Sequence, residues 1–226
     1  MATFGLKYSK LASTLEFIFK AFTAFLATNL EELILLVVFY ASGRFAIIDI
    51  IKGQYIGFFT ILILSLIGSV IGHMLDKQVV SLFGLLLIYS GIIELWEYFT
   101  LEKDASLIAQ PDAIKMYMSN QPMLHKYFPE KLALVASTTI GLGADNLGVY
   151  IPLMAPLAWL DRLAFIFLFL GFNLLLAFFA FFLTEQKTLA ISLEKLGRVG
   201  KPVVLIGLGV YLLYTGNVLL LLKNIQ

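Results

Sequence analysis

The sequence contains no cysteine, and only 14% of its 226 residues are charged. Without cysteine the chain has neither disulfides nor thiolate metal ligands. Globular domains in water carry about 25% charged residues, so the scarcity of charge argues against a soluble fold. The formal net charge of +1 gives no basic surface, and we expect no nucleic-acid partner.

Long apolar runs take the place of charge, since 60% of the residues are hydrophobic and the mean hydropathy is +0.93. Each run has about 20 residues or more, enough for a helix to cross a ~30 Å hydrocarbon layer. We therefore predict an all-α integral membrane protein with six transmembrane helices, placed in the lipid bilayer of the cell (plasma or inner) membrane. The runs are Ala21–Tyr40, Tyr55–Met74, Val79–Phe99, Leu132–Leu157, Leu163–Leu183 and Val203–Leu222.

The two halves of the chain resemble each other. "GLLLIYSG" (Gly84–Gly91) matches "GVYLLYTG" (Gly209–Gly216), and "ATNL" (Ala27–Leu30) matches "ADNL" (Ala144–Leu147). Three spans per repeat is an odd number, so the second copy must enter the membrane inverted, as in many secondary transporters. The predicted organisation is a first repeat at 1–99 with an amphipathic N-terminal segment, a polar cytoplasmic loop at 100–131, and a second repeat at 132–226.

The distribution of lysine and arginine predicts the orientation. More of them fall in the first, third and fifth connections, the last of which is expected to run from Thr184 to Lys201. Because positive loops stay in the cytoplasm, both termini are expected outside. The N-terminus shows no pattern of a cleaved signal, and a homo-oligomer is compatible with the sequence.

Three carboxylates are predicted near the middle of the membrane. Glu31 and Glu32 lie about ten residues into the first run, and Asp145 lies at a similar depth in the fourth. Each such charge costs roughly 2.5–3.5 kcal/mol on insertion scales, and more in simulations. No lysine, arginine or histidine is expected deep in any run, so this acidic pocket should attract a cation. Glu94 and Glu97, near the end of the third run, should reach interfacial water.

The neighbouring side chains suggest which cation. Thr28, Asn29 and Asn146 add hydroxyl and amide oxygens to the carboxylates, and oxygen ligands suit Mn²⁺, Ca²⁺ or Mg²⁺ and can hold Cd²⁺ or Zn²⁺. Three crowded carboxylates cannot all stay ionised in a low dielectric. Metal binding would then expel a proton, which predicts exchange of a divalent metal for protons.

The fourth run also has a backbone suited to an ion site. Gly141, Gly143 and Gly148 lower the cost of unwinding around Asp145, and Pro152 removes one helical hydrogen bond. A discontinuous helix is expected here, with carbonyl oxygens facing a ligand.

Two segments resemble a known family. "ATNLEELILL" in the first run and "GLGADNLGVYIPL" in the fourth are similar to the signature segments of the CadD-like cadmium-resistance transporter family, in the LysE superfamily of small six-span exporters. The second segment, with Tyr150 and Pro152, is the more specific match. Members carry two aspartates where this chain has Glu31 and Glu32. The resemblance implies cation export, with Asn29, Glu31, Glu32, Asp145 and Asn146 as ion-pathway residues.

Other functions fit the sequence less well. A cationic amino-acid exporter would need a group for the substrate's carboxylate, which a helix N-terminus beside Gly143 could supply. "GLGAD" (Gly141–Asp145) differs in spacing from the GxGD signature of intramembrane proteases, and no phosphate-binding loop is present. We expect a transporter rather than an enzyme, with no bound cofactor, a divalent metal as substrate and protons as the coupling ion.

Overall fold

The structure, a computed structural model, describes residues 2–74, 77–100 and 129–216, and every regular element in these ranges is a helix. The predicted polar loop at 100–131 lies almost wholly outside the described residues. The helices are α1 (Ala2–Ala41), α2 (Ile47–His73), α3 (Lys77–Ser81), α4 (Phe83–Thr100), α5 (Glu130–Gly143), α6 (Leu147–Met154), α7 (Trp159–Leu183) and α8 (Lys187–Thr215).

The predicted helical membrane architecture is confirmed in its main features. Five helical segments are long and apolar enough to cross a membrane: Thr14–Ala41, Ile47–His73, Gln78–Thr100, Trp159–Leu183 and Ile191–Thr215. The helices α5 and α6 together would form a sixth span, bent by 66° at their junction. The chain is therefore a multi-pass membrane protein with five or six spans in the described ranges.

The last helix begins earlier than the sequence predicted. The connection expected from Thr184 to Lys201 is wrong, because α8 starts at Lys187 and continues through Pro202 to Thr215. A membrane helix tolerates an internal proline where neighbouring groups satisfy the freed backbone. Gly197 packs against Leu30 of α1, so this polar stretch is anchored to the helix bundle. Lys201 consequently lies inside a helix and not in a loop.

Close helix packing depends on small residues. A Cβ on Gly57 of α2 would come within 2.6 Å of the Thr139 Cβ of α5. Gly84 of α4 and Gly209 of α8 face each other, and a Cβ on either would collide with the carbonyl oxygen of the other. Such close contact replaces the hydrophobic driving force that two helices lack in lipid. The pairs α2 with α5 and α4 with α8 are thus held backbone against backbone.

An aromatic cluster fills the centre of the bundle. Phe25 of α1 contacts Phe169 of α7 edge to face, with centroids 5.4 Å apart, and Phe58 of α2 stacks on the same ring. Tyr150 of α6 packs edge to face on Phe169 at 4.9 Å. Edge-to-face pairs are favourable beyond the area that they bury. The cluster therefore fixes α6, with the tyrosine that it carries, against α1.

Arg162, in the first turn of α7, holds the far end of α6. The side chain is buried, and its Nε donates to the carbonyl oxygens of Met154 and Leu157 at 3.1 and 3.0 Å. Its Nη2 donates to Ala155 O at 2.9 Å, and His73 Nδ1 lies 3.0 Å from the same oxygen. The last carbonyls of a helix lack partners within the helix. Arg162 supplies those partners and so fixes the short helix α6 at its carboxyl end.

The contact between α4 and α8 gives the first prediction. Gly209→Ala should lower the free energy of unfolding in detergent by about 1–3 kcal/mol, because the added methyl overpacks the contact with Gly84. Gly207→Ala is the matched control, since its Cβ would meet nothing within 4 Å on the same helix. Thermal unfolding of the two variants measures the difference. Equal stability of both would contradict the packing described here.

Candidate cation site

Lys201 of α8 lies at the centre of three carboxylates from three other parts of the chain. Its Nζ is 3.0 Å from Glu31 Oε1 of α1, 3.2 Å from Glu94 Oε1 of α4 and 3.0 Å from Asp145 Oδ2 of the junction between α5 and α6. We call these three acids the acidic cradle. The prediction that no basic side chain lies deep in a span is therefore wrong. The prediction failed because α8 begins at Lys187, well before the predicted span, and so carries Lys201 into the bundle.

Glu31 and Asp145, two of the predicted site residues, lie close together. Because each carboxylate oxygen is 3.0 Å from the same nitrogen, the two oxygens lie within about 6 Å of each other. Glu94 was expected to reach interfacial water, yet it completes the cradle. With all groups ionised, three carboxylates and one ammonium leave a formal charge of −2. Lys201 therefore neutralises only part of the charge that it contacts.

The acids and the lysine differ in accessibility. The side chains of Glu31 and Asp145 are 50% and 52% exposed, and that of Glu94 is 32% exposed, whereas that of Lys201 is only 8% exposed. The ammonium thus reaches the cradle from within the bundle, while the carboxylates open outward. A cation arriving from outside the bundle would meet the carboxylates first.

A break in the helix places Asp145 in the cradle. The helix α5 ends at Gly143, residues 144–146 form a turn, and α6 starts at Leu147. Within this turn Asn146 N donates to Gly143 O at 3.1 Å and Gly148 N donates to Asp145 O at 3.0 Å, so the chain winds more tightly than an α-helix. The discontinuous helix predicted from the surrounding glycines and Pro152 is confirmed. Gly141 and Gly148, on either side of the turn, are exposed.

The two signature segments are joined through Tyr150. Its hydroxyl accepts a hydrogen bond from Asn29 Nδ2 at 2.8 Å and lies 2.8 Å from Thr28 Oγ1. Thr28 Oγ1 in turn donates to Ala24 O at 2.9 Å. All three side chains are buried. Thr28 and Asn29 therefore fix α6 to α1 beside the cradle, which gives them a positioning role.

Glu32 does not join the cradle. Its side chain is buried and lies against Gln54 of α2, whose Nε2 donates to Asn173 Oδ1 of α7 at 2.8 Å. Adjacent helical residues point about 100° apart, and because α1 is continuous here, Glu31 and Glu32 face different regions. The expectation that all three predicted acids share one cluster is therefore wrong.

Several buried oxygens of the bundle, including one of Glu32, have no hydrogen-bond partner among the described residues. They belong to three helices and to the turn between α5 and α6: Asn29 Oδ1, Glu32 Oε1, Gln54 Oε1, Thr139 Oγ1 and Asn146 Oδ1. Buried polar atoms are almost always paired with protein or ordered water, and a lone one costs about 1–3 kcal/mol. These buried oxygens of the bundle are thus acceptors that a proton, a water molecule or a cation could satisfy.

The comparison with protein families decides what kind of protein carries this arrangement. The family model described as "Cadmium resistance transporter" matches residues 25–224. The chain belongs to the cadmium resistance transporter family. The match includes the cradle, the helix break and Tyr150. No curated protein and no solved structure gives a significant match.

The arrangement of the possible metal ligands bears on how a cadmium resistance transporter holds a cation. In the ranges that the structure describes, no three His, Cys, Asp or Glu side chains are grouped so that they could hold a metal ion. The ammonium of Lys201 instead stands between the three acids of the cradle. Any cation that binds these oxygens together must compete with the ammonium of Lys201.

Sequence reasoning missed Lys201 and Glu94 as members of the site. Lys201 directly precedes Pro202, and the charged stretch before it resembles a connection. A useful signal was present, because a glutamate about four turns into an apolar run and a lysine next to another apolar run can neutralise each other in lipid. Glu94 and Lys201 meet only because their two helices pack against each other, and the sequence alone does not show which helices pair.

The Tyr150 contacts give the second prediction. Tyr150→Phe removes the buried hydroxyl that links α6 to Asn29 and Thr28 of α1, so the free energy of unfolding in detergent should fall by about 1–3 kcal/mol. Tyr214→Phe serves as control, because Tyr214 is 76% exposed. Chemical or thermal unfolding measures both variants. A Tyr150→Phe protein as stable as the control would show that this link does not hold α6 to α1.

Proposed function

We propose that this member of the cadmium resistance transporter family exports a divalent metal cation of the Cd²⁺, Mn²⁺ and Zn²⁺ class in exchange for protons. The observation that carries the proposal is the convergence of Glu31 and Asp145, from two distant spans, on one cationic centre. An anionic substrate would be repelled by the −2 charge of the cradle with its lysine. Family membership supplies the transport activity, and the cradle supplies a place for the cation.

The chemistry of the available ligands supports a divalent metal. The cradle provides carboxylate oxygens, and the buried interior provides the unpartnered oxygens of Asn29, Glu32 and Asn146, each within two residues of a signature-segment acid. Oxygen ligands of this type suit Mn²⁺ and also hold Cd²⁺ and Zn²⁺, with little selectivity by softness. We infer a pathway in which the cation enters at Glu31 and Asp145 and passes toward Glu32. Thr28 belongs to this path as the residue that positions Tyr150.

Proton exchange is supported by the surroundings of Glu32. Its carboxyl is buried, and the structure pairs it with no lysine, arginine or histidine among the described residues. A buried ionised carboxylate without a partner is very costly, so the group should hold either a proton or a cation. Alternation between these two partners couples metal movement in one direction to proton movement in the other.

The packing of α4 on α8 supports an inverted repeat. Gly84 contacts Leu213 while Gly209 contacts Ile88, and Gly91 contacts Ile206 while Gly216 contacts Ser81. Adding 125 to the residue number in α4 and subtracting 125 from the residue number in α8 turns each contact into its counterpart. The contact Gly84–Leu213 becomes Gly209–Ile88, and Gly91–Ile206 becomes Gly216–Ser81. Reciprocal contacts of this kind are the mark of an interface around a two-fold axis. We propose that the two halves are inverted copies that move against each other around the cradle, with both termini outside.

A cationic amino-acid exporter is the second candidate, and one observation favours it. The cradle binds an alkylammonium group, that of Lys201, through three carboxylates. The side chain of free lysine carries the same group. Lysine therefore belongs in any panel of tested substrates.

Transport into proteoliposomes tests the proposed function. Vesicles with an acidic lumen should accumulate Cd²⁺, Mn²⁺ or Zn²⁺ as protons leave, and accumulation should stop when a protonophore removes the pH gradient. Asp145→Asn and Glu31→Gln should each lower the initial rate at least about tenfold, since each removes one charge that binds the cation. Asp161→Asn, an exposed acid at the start of α7, should transport normally.

Glu32→Gln separates the two parts of the proposal. It should abolish uptake driven by the pH gradient while leaving metal-for-metal exchange measurable, because glutamine cannot carry the proton. Wild-type uptake that ignores the pH gradient would contradict proton exchange. Normal transport by folded Asp145→Asn protein would contradict the site, and uptake of lysine in place of metals would favour the second candidate.

A further inference from the structure

The ammonium of Lys201 has one carboxylate partner for each of its hydrogen-bond donors. It has three N–H donors, and three carboxylate oxygens surround it at 3.0, 3.2 and 3.0 Å. The three acids come from α1, α4 and the break between α5 and α6, so a single lysine joins spans that are far apart in the sequence. The ammonium therefore acts as a bound cation that the protein itself supplies through the Lys201 side chain.

We propose that Lys201 is a tethered cation that occupies the substrate position while the transporter is empty and leaves that position when a metal ion binds. The inference rests on the proposed function and adds the residue that competes with the substrate. It also assigns a purpose to the lysine, which neither family membership nor the predicted ligand set supplies.

The geometry of the cradle indicates that a metal ion and the Lys201 ammonium cannot occupy it together. Large divalent ions bind oxygen at about 2.3–2.6 Å. A metal that used the same oxygens of Glu31, Glu94 and Asp145 would have to lie near the point that Nζ now occupies. Two cations cannot share that point, because they overlap and repel each other. Metal binding by the cradle therefore requires the ammonium to move away.

Charge supports a role for the lysine in the empty transporter. Three ionised acids without a cation would carry −3 within a few ångströms, in a membrane span where charge is costly. Lys201 stabilises the cradle after the metal has left and so lets the empty protein change conformation. The same competition weakens metal binding, which favours release.

Flexibility makes such an exchange feasible. Lysine carries its charge on a four-carbon chain with several rotatable bonds, and it binds as a point charge without a fixed fork geometry. The side chain enters the cradle from the buried side, whereas Glu31 and Asp145 are half exposed. A metal can thus approach the carboxylates from the open side and displace the ammonium toward the interior of the bundle.

Replacement of the lysine tests the inference. Lys201→Met keeps most of the side-chain volume and removes the competing charge. Purified variant protein in detergent should bind Cd²⁺ at least about tenfold more tightly than wild type in equilibrium dialysis, because the metal no longer has to break the charge-assisted contacts of the ammonium. Net efflux from proteoliposomes should be slower, because release is no longer assisted. Lys195→Met, an exposed lysine of the same helix, should change neither quantity.

A second background covers the case in which Lys201→Met alone leaves too much negative charge to fold. In Glu94→Gln protein the cradle retains Glu31 and Asp145, and the double variant Glu94→Gln/Lys201→Met has the same −2 charge as the wild type with its lysine. The double variant should bind Cd²⁺ more tightly than Glu94→Gln alone. This comparison measures the effect of the ammonium in a cradle whose negative charge never exceeds that of the wild type.

The possible results are distinct. If wild-type protein neither binds nor transports Cd²⁺, Mn²⁺ or Zn²⁺, the proposed function fails and this inference fails with it. If wild-type protein transports a metal but loss of Lys201 leaves the affinity unchanged or weaker, only the inference is overturned. Loss of folded protein in both backgrounds, with no rescue by added Cd²⁺, would also overturn it, because Lys201 would then be a permanent structural counter-ion.

Discussion

The need to neutralise charge inside a membrane governs the arrangement of this protein. Glu31, Glu94 and Asp145 would each be costly in a lipid-embedded span, and they are tolerated together because one ammonium lies between them. A buried ion cluster is weak evidence for stability, since desolvation offsets much of the attraction. The cost of maintaining it, with charge left over, points instead to a function. An attraction for cations that is only partly satisfied is what a cation transporter requires.

The other features of the fold bring these charges together and hold them there. The break between α5 and α6 turns Asp145 toward α1, and Tyr150 joins the two signature segments through Thr28 and Asn29. Arg162 fixes the carboxyl end of α6, so the short helix is held at both ends. Close contact of Gly84 with Gly209 brings α8, and with it Lys201, against α4 and Glu94. The geometry of the cradle is therefore set by contacts made at some distance from it.

Much of this could be predicted from the sequence, because hydropathy and backbone chemistry act locally. Apolar runs gave the spans, and the glycines with Pro152 gave the break at Asp145. The meeting of Glu31 with Asp145 followed from their matching depth. Lys201 and Glu94 could not be placed in this way, because their role depends on which spans pair and on a helix that continues through a charged stretch. Ligand binding by the predicted oxygen set stays a prediction.

The most direct test of the account is the position of the substrate itself. Crystals of the protein soaked in Cd²⁺ would give an anomalous difference map in which cadmium is identified without assumptions about its ligands. The account predicts a peak at about 2.3–2.6 Å from carboxylate oxygens of both Glu31 and Asp145, with the Lys201 side chain moved out of the cradle. A peak ligated by residues of one half of the chain alone, or cadmium bound only at the protein surface with Lys201 still in place, would contradict it.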